Sequence, residues 1–143
     1  MRAFFDTNVL VYLFDADAPQ KQGAARALLE REANAGRVTL STQVLQEFFV
    51  TVTRKLDVPL PEADAERAVR RFAEFSLVQV DAPLILAAID ASRRYQLSFW
   101  DAMIVQAALQ AGASVLYSED MQDGRAFESM TVRNPFAALA SER

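Results

Sequence analysis

Short apolar segments of strand length alternate along this chain with longer segments of helical periodicity. Parallel strands cannot be joined by a tight turn, so a helix between successive strands is typical of a parallel sheet covered by helices on both faces. We therefore predict an α/β fold with a central, mainly parallel sheet of four to five short strands flanked by helices. The candidate strands are residues 2–5, 38–41, 77–80, 114–117 and 130–134.

Capping and turn residues indicate where the intervening helices begin and end. Pro61 suits a first helical turn, Asp81 and Ser98 are good N-caps, and Gly112 suits a helix end. We predict helices over residues 19–35, 61–75, 82–95 and 99–111, and a further one from residue 42. The length of 143 residues, 52% of them hydrophobic, is typical of a single domain, residues 1–143.

The chain contains neither cysteine nor histidine. This excludes disulfides, Cys/His zinc sites, thiolate nucleophiles and every catalytic scheme that needs an imidazole. An enzyme of this composition would rely on carboxylates, hydroxyls, Lys, Tyr or an oxygen-bound cation such as Mg²⁺ or Mn²⁺. The net charge of -4 gives no global attraction to nucleic acid, so such a substrate would need local contacts.

No targeting or membrane segment is visible in the sequence. The first residues, MRAFFDTNVL, lack the basic and long apolar pattern of a secretion signal. The longest apolar stretch, residues 102–116, is too short and too polar to cross a bilayer. We expect a soluble cytoplasmic protein.

Four carboxylates occupy positions where they could share one site. Asp6 and Asp120 follow predicted strands, and the carboxyl ends of parallel strands meet at the edge where α/β proteins bind ligands. Asp101 lies near a helix start, which favours an anion, and Glu47 could point inward from its helix. Converging carboxylates repel one another unless protons or a divalent cation neutralise them.

Each acid also has a purely structural explanation. Asp6 could be a helix N-cap, Asp101 the capping-box partner of Ser98, and Glu47 a solvent-facing helical residue. Asp120 and Asp123 could be ordinary loop acids. The functional hypothesis therefore depends on the set as a whole and not on any single member.

Other polar residues could support the acids or meet a substrate. Thr7, Asn8 and Ser118 could orient the carboxylates or a metal-bound water, although all three are also common turn residues. Three arginines could contact an RNA backbone if they flank the site, although exposed arginine is usually solvated surface: Arg54, Arg93 and Arg94.

Four segments, taken in order, resemble the PIN-domain family, in particular the VapC-type toxins of bacterial toxin-antitoxin pairs. They are FFDTNVLVYLFD, STQVLQEFF, SFWDAMIVQAALQAGASVLYSED and EDMQDG, and the resemblance runs the length of the chain. The resemblance implies a PIN-like α/β/α sandwich. It assigns the acidic quartet to Asp6, Glu47, Asp101 and Asp120, with Asp123 as an additional acid.

Family membership would imply an endoribonuclease that uses Mg²⁺ or Mn²⁺, forms a homodimer and is inhibited by a small antitoxin. The expected mechanism is metal-assisted hydrolysis of RNA, with Asp6, Asp101 and Asp120 holding the ion or ions, and Glu47 positioning or deprotonating water.

Two alternatives remain open at this point. One is a PIN-like domain that binds RNA or a partner without cleavage. The other is a Mg²⁺-dependent phosphatase of the haloacid-dehalogenase type, in which Asn8 would replace the expected acid-base aspartate.

Overall fold

The computed structural model describes residues 1–139, which form six helices of the α type and a six-stranded sheet. The strands are β1 Arg2–Phe5, β2 Val38–Ser41, β3 Ser76–Val78, β4 Ala113–Tyr117, β5 Ala126–Phe127 and β6 Met130–Arg133. The helices are α1 Thr7–Val11, α2 Pro19–Asn34, α3 Thr42–Arg54, α4 Glu62–Phe72, α5 Ala82–Tyr95 and α6 Phe99–Gln110, with a 3₁₀ turn at Tyr12–Phe14.

The strand order is β3-β2-β1-β4-β6-β5. All neighbouring strands are parallel except β5, which is antiparallel to β6. The expected mainly parallel α/β architecture is therefore confirmed. The sheet has six strands and not four to five, because β5 has only two residues and is too short to give an alternating pattern in the sequence.

Several boundaries differ from those expected. Helix α4 covers Glu62–Phe72 and not residues 61–75, because Pro61 is an extended N-cap and the chain leaves the helix at Ala73. Helices α2 and α6 each end one residue earlier than expected, and β3 begins at Ser76. Such shifts are ordinary at helix and strand ends, where local pattern is weakest.

The hydrophobic core surrounds β1 and α6. Ala3, Phe4 and Phe5 are fully buried, because β1 lies between β2 and β4 in the sheet. Helix α6 is apolar on most sides and buries Ile104 and Val105. A strand buried on both faces has a continuous apolar sequence, which explains the run that precedes Asp6.

The carboxyl ends of the central strands meet at one edge of the sheet. Strand β1 leads to Asp6 and β4 leads to Ser118, while β2 ends at Ser41, whose hydroxyl caps α3 by accepting from the Val44 N–H. The backbone N–H of Asp6 donates to the Tyr117 carbonyl (2.9 Å), so the two loops leave the sheet side by side. Among residues 1–139, no helix is long and apolar enough to cross a membrane.

Candidate active site

A cavity of about 450 Å³ lies at this edge of the sheet. Four acidic side chains line it, contributed by the end of β1, by α3, by α6 and by the loop after β4: Asp6, Glu47, Asp101 and Asp120. The other lining residues are Thr7, Asn8, Gln43, Gln46, Val50, Thr51, Lys55, Trp100 and Ile104. The four acids singled out in the sequence therefore surround one space.

Asp6 is the most buried of these acids, with only 6% of its surface exposed. One carboxylate oxygen accepts from the backbone N–H of Thr7 (2.8 Å), which makes Asp6 the N-cap of α1. The other oxygen accepts from the Ser118 hydroxyl (2.8 Å). The structural role considered for Asp6 is thus present, and it holds the carboxylate at the cavity wall.

The pKa of Asp6 is raised from 3.8 to about 7, chiefly by burial and to a smaller extent by the charges of Asp120 and Asp101, while the hydrogen bonds from Ser118 and Thr7 oppose the rise. A buried carboxylate without a compensating cation resists ionisation. In the metal-free protein, Asp6 therefore titrates near neutral pH.

Glu47 lies near the middle of α3 and is partly exposed. Its Oε1 accepts from the Thr7 hydroxyl (2.7 Å), and its Oε2 accepts from Gln43 Nε2 at the longer distance of 3.4 Å. Thr7 therefore contacts two of the acids, Asp6 through its backbone and Glu47 through its side chain.

Asp120 is more exposed and is held by Asn8, whose Nδ2 donates to Oδ2 (2.7 Å). The pKa of Asp120 is raised, first by burial and then by the charges of Asp101 and Glu119. Its backbone N–H donates to the Ser118 hydroxyl (3.2 Å), the same hydroxyl that donates to Asp6. Thr7, Asn8 and Ser118 thus each contact a carboxylate of the quartet.

Asp101 lies in the first turn of α6, and its backbone N–H donates to the hydroxyl of the N-cap Ser98 (3.1 Å). This turn places the partly exposed Asp101 side chain at the cavity wall. The capped helix start fixes the backbone that carries this carboxylate.

Four residues considered in the sequence do not line the cavity. Asp123 is exposed in the loop before β5, and its Oδ1 accepts from the backbone N–H of Asn134 (2.9 Å). Arg54, Arg93 and Arg94 are exposed on α3 and α5. The structure does not bring these four side chains together with the quartet.

Seven lining residues were not identified from the sequence: Gln43, Gln46, Val50, Thr51, Lys55, Trp100 and Ile104. Gln43 is 4% exposed, and its Oε1 is buried without a hydrogen-bond partner in the described part of the chain. Its position on the same face of α3 as Glu47, four residues away, is the one signal that could have identified it.

No three acidic side chains within residues 1–139 are arranged as a set that could already hold a metal ion. The residues nevertheless fit a divalent cation in ligand type and charge. Carboxylate oxygens are the ligands that Mg²⁺ and Mn²⁺ prefer, and four carboxylate side chains line this one cavity. The unpartnered Gln43 Oε1 could accept from a water bound to such an ion.

The loop that carries Asp120 is attached to α2 through its neighbour Glu119. Lys21 Nζ donates to Glu119 Oε2 (2.6 Å), and the Tyr12 hydroxyl donates to Oε1 (2.7 Å). The Lys21 and Glu119 side chains are only 28% and 22% exposed. Hydrogen-bonded ion pairs of this kind are stronger than exposed pairs, so the network stabilises the loop beside the cavity.

We expect Lys21→Met to lower the free energy of unfolding by about 1 kcal/mol, because Glu119 keeps a partly buried charge without its ion pair. Urea unfolding measures this change. The matched control is Arg70→Met, which breaks an i,i+4 pair with Glu66 whose side chains are 75% and 59% exposed. The control should cost less than about 0.5 kcal/mol, and equal losses for both variants would contradict a stabilising role of Lys21.

Comparison with known proteins gives one family and a shared fold. Residues 3–126 match the sequence model of the family described as PIN domain. No match was found among curated protein sequences.

The structure is similar to a toxin-antitoxin complex from Klebsiella pneumoniae (TM-score 0.68, 19% identity, covering 93% of this chain and 97% of that chain). It also resembles the sarcin-ricin loop cleaving toxin VapC20 of Mycobacterium tuberculosis (TM-score 0.64, 24% identity, covering 82% of this chain and 89% of that chain). A third similar structure is VapBC2 from Rickettsia felis bound to a promoter DNA fragment (TM-score 0.66, 16% identity, covering 94% of this chain and 98% of that chain). At these identities the likeness shows a common fold.

Proposed function

This chain belongs to the PIN-domain family, and we propose that it is a metal-dependent endoribonuclease, the toxin of a toxin-antitoxin pair. The observation that carries the proposal is the convergence of Asp6, Glu47, Asp101 and Asp120 on one cavity at the carboxyl edge of the sheet. The chain contains no histidine or cysteine that could do the chemistry instead.

Asp6, Asp101 and Asp120 would hold Mg²⁺ or Mn²⁺ in this cavity. When bound, such an ion neutralises phosphate charge and lowers the pKa of a coordinated water. Glu47, which reaches the cavity wall from α3, would position or deprotonate the attacking water. Asp123 is less suited to a ligand role, since it lies outside the cavity lining.

Three neutral side chains would keep the carboxylates in place during the reaction. Ser118 donates to Asp6, Thr7 to Glu47 and Asn8 to Asp120. Donors of this kind fix the orientation of carboxylates and favour their ionised form, which is the form that binds metal. Asn8 does so as an amide donor, which suits a supporting role and not the acid-base role that a phosphatase would need at this position.

The proposed substrate is RNA, and the proposed partner is a small antitoxin protein. One protein of similar fold is described as a sarcin-ricin loop cleaving toxin, and another similar structure is a toxin-antitoxin complex. A homodimer in the cytoplasm completes the proposal. The exposed apolar residues Ile85, Leu86 and Ile89 on α5 are suited to contact between two copies.

Cleavage of structured RNA by the purified protein, freed of any bound partner, tests the proposal directly. We expect cutting with Mn²⁺ or Mg²⁺ and none in EDTA. RNA that is bound in the presence of metal but never cut would instead favour a binding-only PIN domain. Cutting that persists in EDTA would contradict metal dependence.

A further inference from the structure

Trp100 is the single tryptophan of the chain and lies beside the catalytic cavity. It is 61% exposed, although tryptophan is usually largely buried. It directly precedes Asp101 in α6, so its indole lies at the rim of the space that the acids surround. An exposed aromatic ring at this position is suited to contact a substrate.

One contact is made to the Trp100 ring and another to the Trp100 backbone. Phe99 contacts it in an edge-to-face arrangement with ring centroids 5.0 Å apart. The Trp100 carbonyl accepts from Gln43 Nε2 (3.4 Å), and the same Nε2 also donates to Glu47. The position of Trp100 is therefore coupled to that of a proposed catalytic acid. A preorganised ring loses little conformational freedom on binding.

Lys55 is the one cationic residue among the described residues that line the cavity. It is exposed at the C-terminal cap of α3, and none of the ion pairs described within residues 1–139 involves it. The helical rise places it about 12 Å along α3 from Glu47. Lys55 is thus suited to contact a phosphate that neighbours the scissile phosphate.

We propose that Trp100 stacks on an unpaired nucleobase beside the scissile phosphate, while Lys55 contacts a neighbouring phosphate. The inference rests on the proposed ribonuclease function and assigns to Trp100 and Lys55 the contacts with nucleotides beside the cut. A base inside a duplex is already stacked on both faces and cannot offer one to the indole. Aromatic stacking with cationic backbone contacts is the usual way in which proteins bind single strands.

The lining of the cavity favours a nucleotide over an apolar protein segment. Next to Trp100 it offers the half-exposed Val50, Lys55 and several carboxylates, which together form a mixed surface and not a continuous apolar one. A nucleotide has an apolar base face and a charged phosphate, and Trp100 and Lys55 suit these two parts respectively. Absence of oligonucleotide binding in the experiment below would favour a protein occupant of this rim instead.

The fluorescence of Trp100 provides the test, because no other tryptophan contributes to it. Asp6→Asn protein with Mn²⁺ is titrated with fluorescein-labelled oligoadenylate, which it should bind without cutting. We expect saturable quenching of tryptophan emission, and no quenching by the same chain with abasic residues. Binding measured by anisotropy should weaken roughly 5- to 150-fold on Trp100→Ala, and less on Trp100→Phe.

Two further variants complete the test. Val58→Ala shortens an apolar side chain that is 78% exposed and does not line the cavity, and it should leave RNA binding unchanged. Lys55→Gln should make the slope of log binding constant against log salt concentration shallower by roughly 0.7, because one phosphate contact is lost. Absence of binding, binding without quenching, or equal affinities for Trp100→Ala and Val58→Ala would each overturn the proposal. Wild-type cleavage is scored separately, so quenching without cleavage would contradict only the nuclease function.

Discussion

Asp6→Asn and Asp101→Asn are each expected to lower metal-dependent RNA cleavage by at least about 100-fold while the protein remains folded. Replacing a residue that merely supports a metal ligand typically costs 10- to 100-fold, and the loss of a ligand itself should cost no less. Each substitution removes one negative charge from the cavity and preserves side-chain size. Initial cleavage rates at saturating Mn²⁺ measure the effect, and circular dichroism checks the fold.

Asp123→Asn is the matched control for these two variants. It makes the same chemical change in a loop close to Asp120 in sequence, at a side chain that does not line the cavity. The asparagine oxygen can still accept from the Asn134 N–H, so the loop should keep its conformation. We expect cleavage within a few-fold of wild type. Full activity of Asp6→Asn, or equal losses in Asp6→Asn and Asp123→Asn, would contradict the assigned roles.

In EDTA, Asp6→Asn is expected to be more stable than the wild type at about pH 8 and to have similar stability at about pH 4. The folded pKa of Asp6 is raised from 3.8 to about 7, so the folded state holds this proton more tightly than the unfolded state. Wild-type stability should therefore fall as pH rises through this interval and level off above it. The full pKa shift of Asp6 corresponds to a loss of at most about 4 kcal/mol in the free energy of unfolding. Asparagine does not ionise, so the variant avoids this loss.

Urea unfolding of both proteins across this pH range gives the difference directly, and titrations of other groups largely cancel in the comparison. Saturating Mn²⁺ should stabilise the wild type and reduce the advantage of the variant, because a ligand that binds only the folded state raises its stability. A difference between the two proteins that does not change with pH would contradict a neutral, buried Asp6. Asp123→Asn should show no such pH-dependent difference.

The fold could be predicted to a large extent from local patterns. Strand β1 and helix α6 have largely apolar sequences because they are buried on most sides, and the capping residues Asp81 and Ser98 define helix starts correctly. Strand β5 could not be predicted. It has two residues and exists because a tight turn at Glu128 folds the chain back onto β6, which is a tertiary effect.

The acids at strand ends were the easier part of the site to predict, because parallel strands carry their following residues to one edge. This argument applies to Asp6 and Asp120 but not to Glu47, whose direction depends on how α3 packs. Trp100 and Lys55 escaped prediction because their relevance depends on exposure at a cavity rim. Asp123 illustrates the converse, since nearness in sequence to Asp120 does not bring it to the cavity.

Binding of Mn²⁺ to the metal-free protein, followed by electron paramagnetic resonance of the free ion, tests most directly whether the acid-lined cavity is a divalent-cation site. We expect the wild type and Asp123→Asn to remove Mn²⁺ from solution, Mg²⁺ to compete for it, and Asp6→Asn to bind far less. Equal Mn²⁺ binding by the wild type and Asp6→Asn, or no binding by the wild type, would contradict the account.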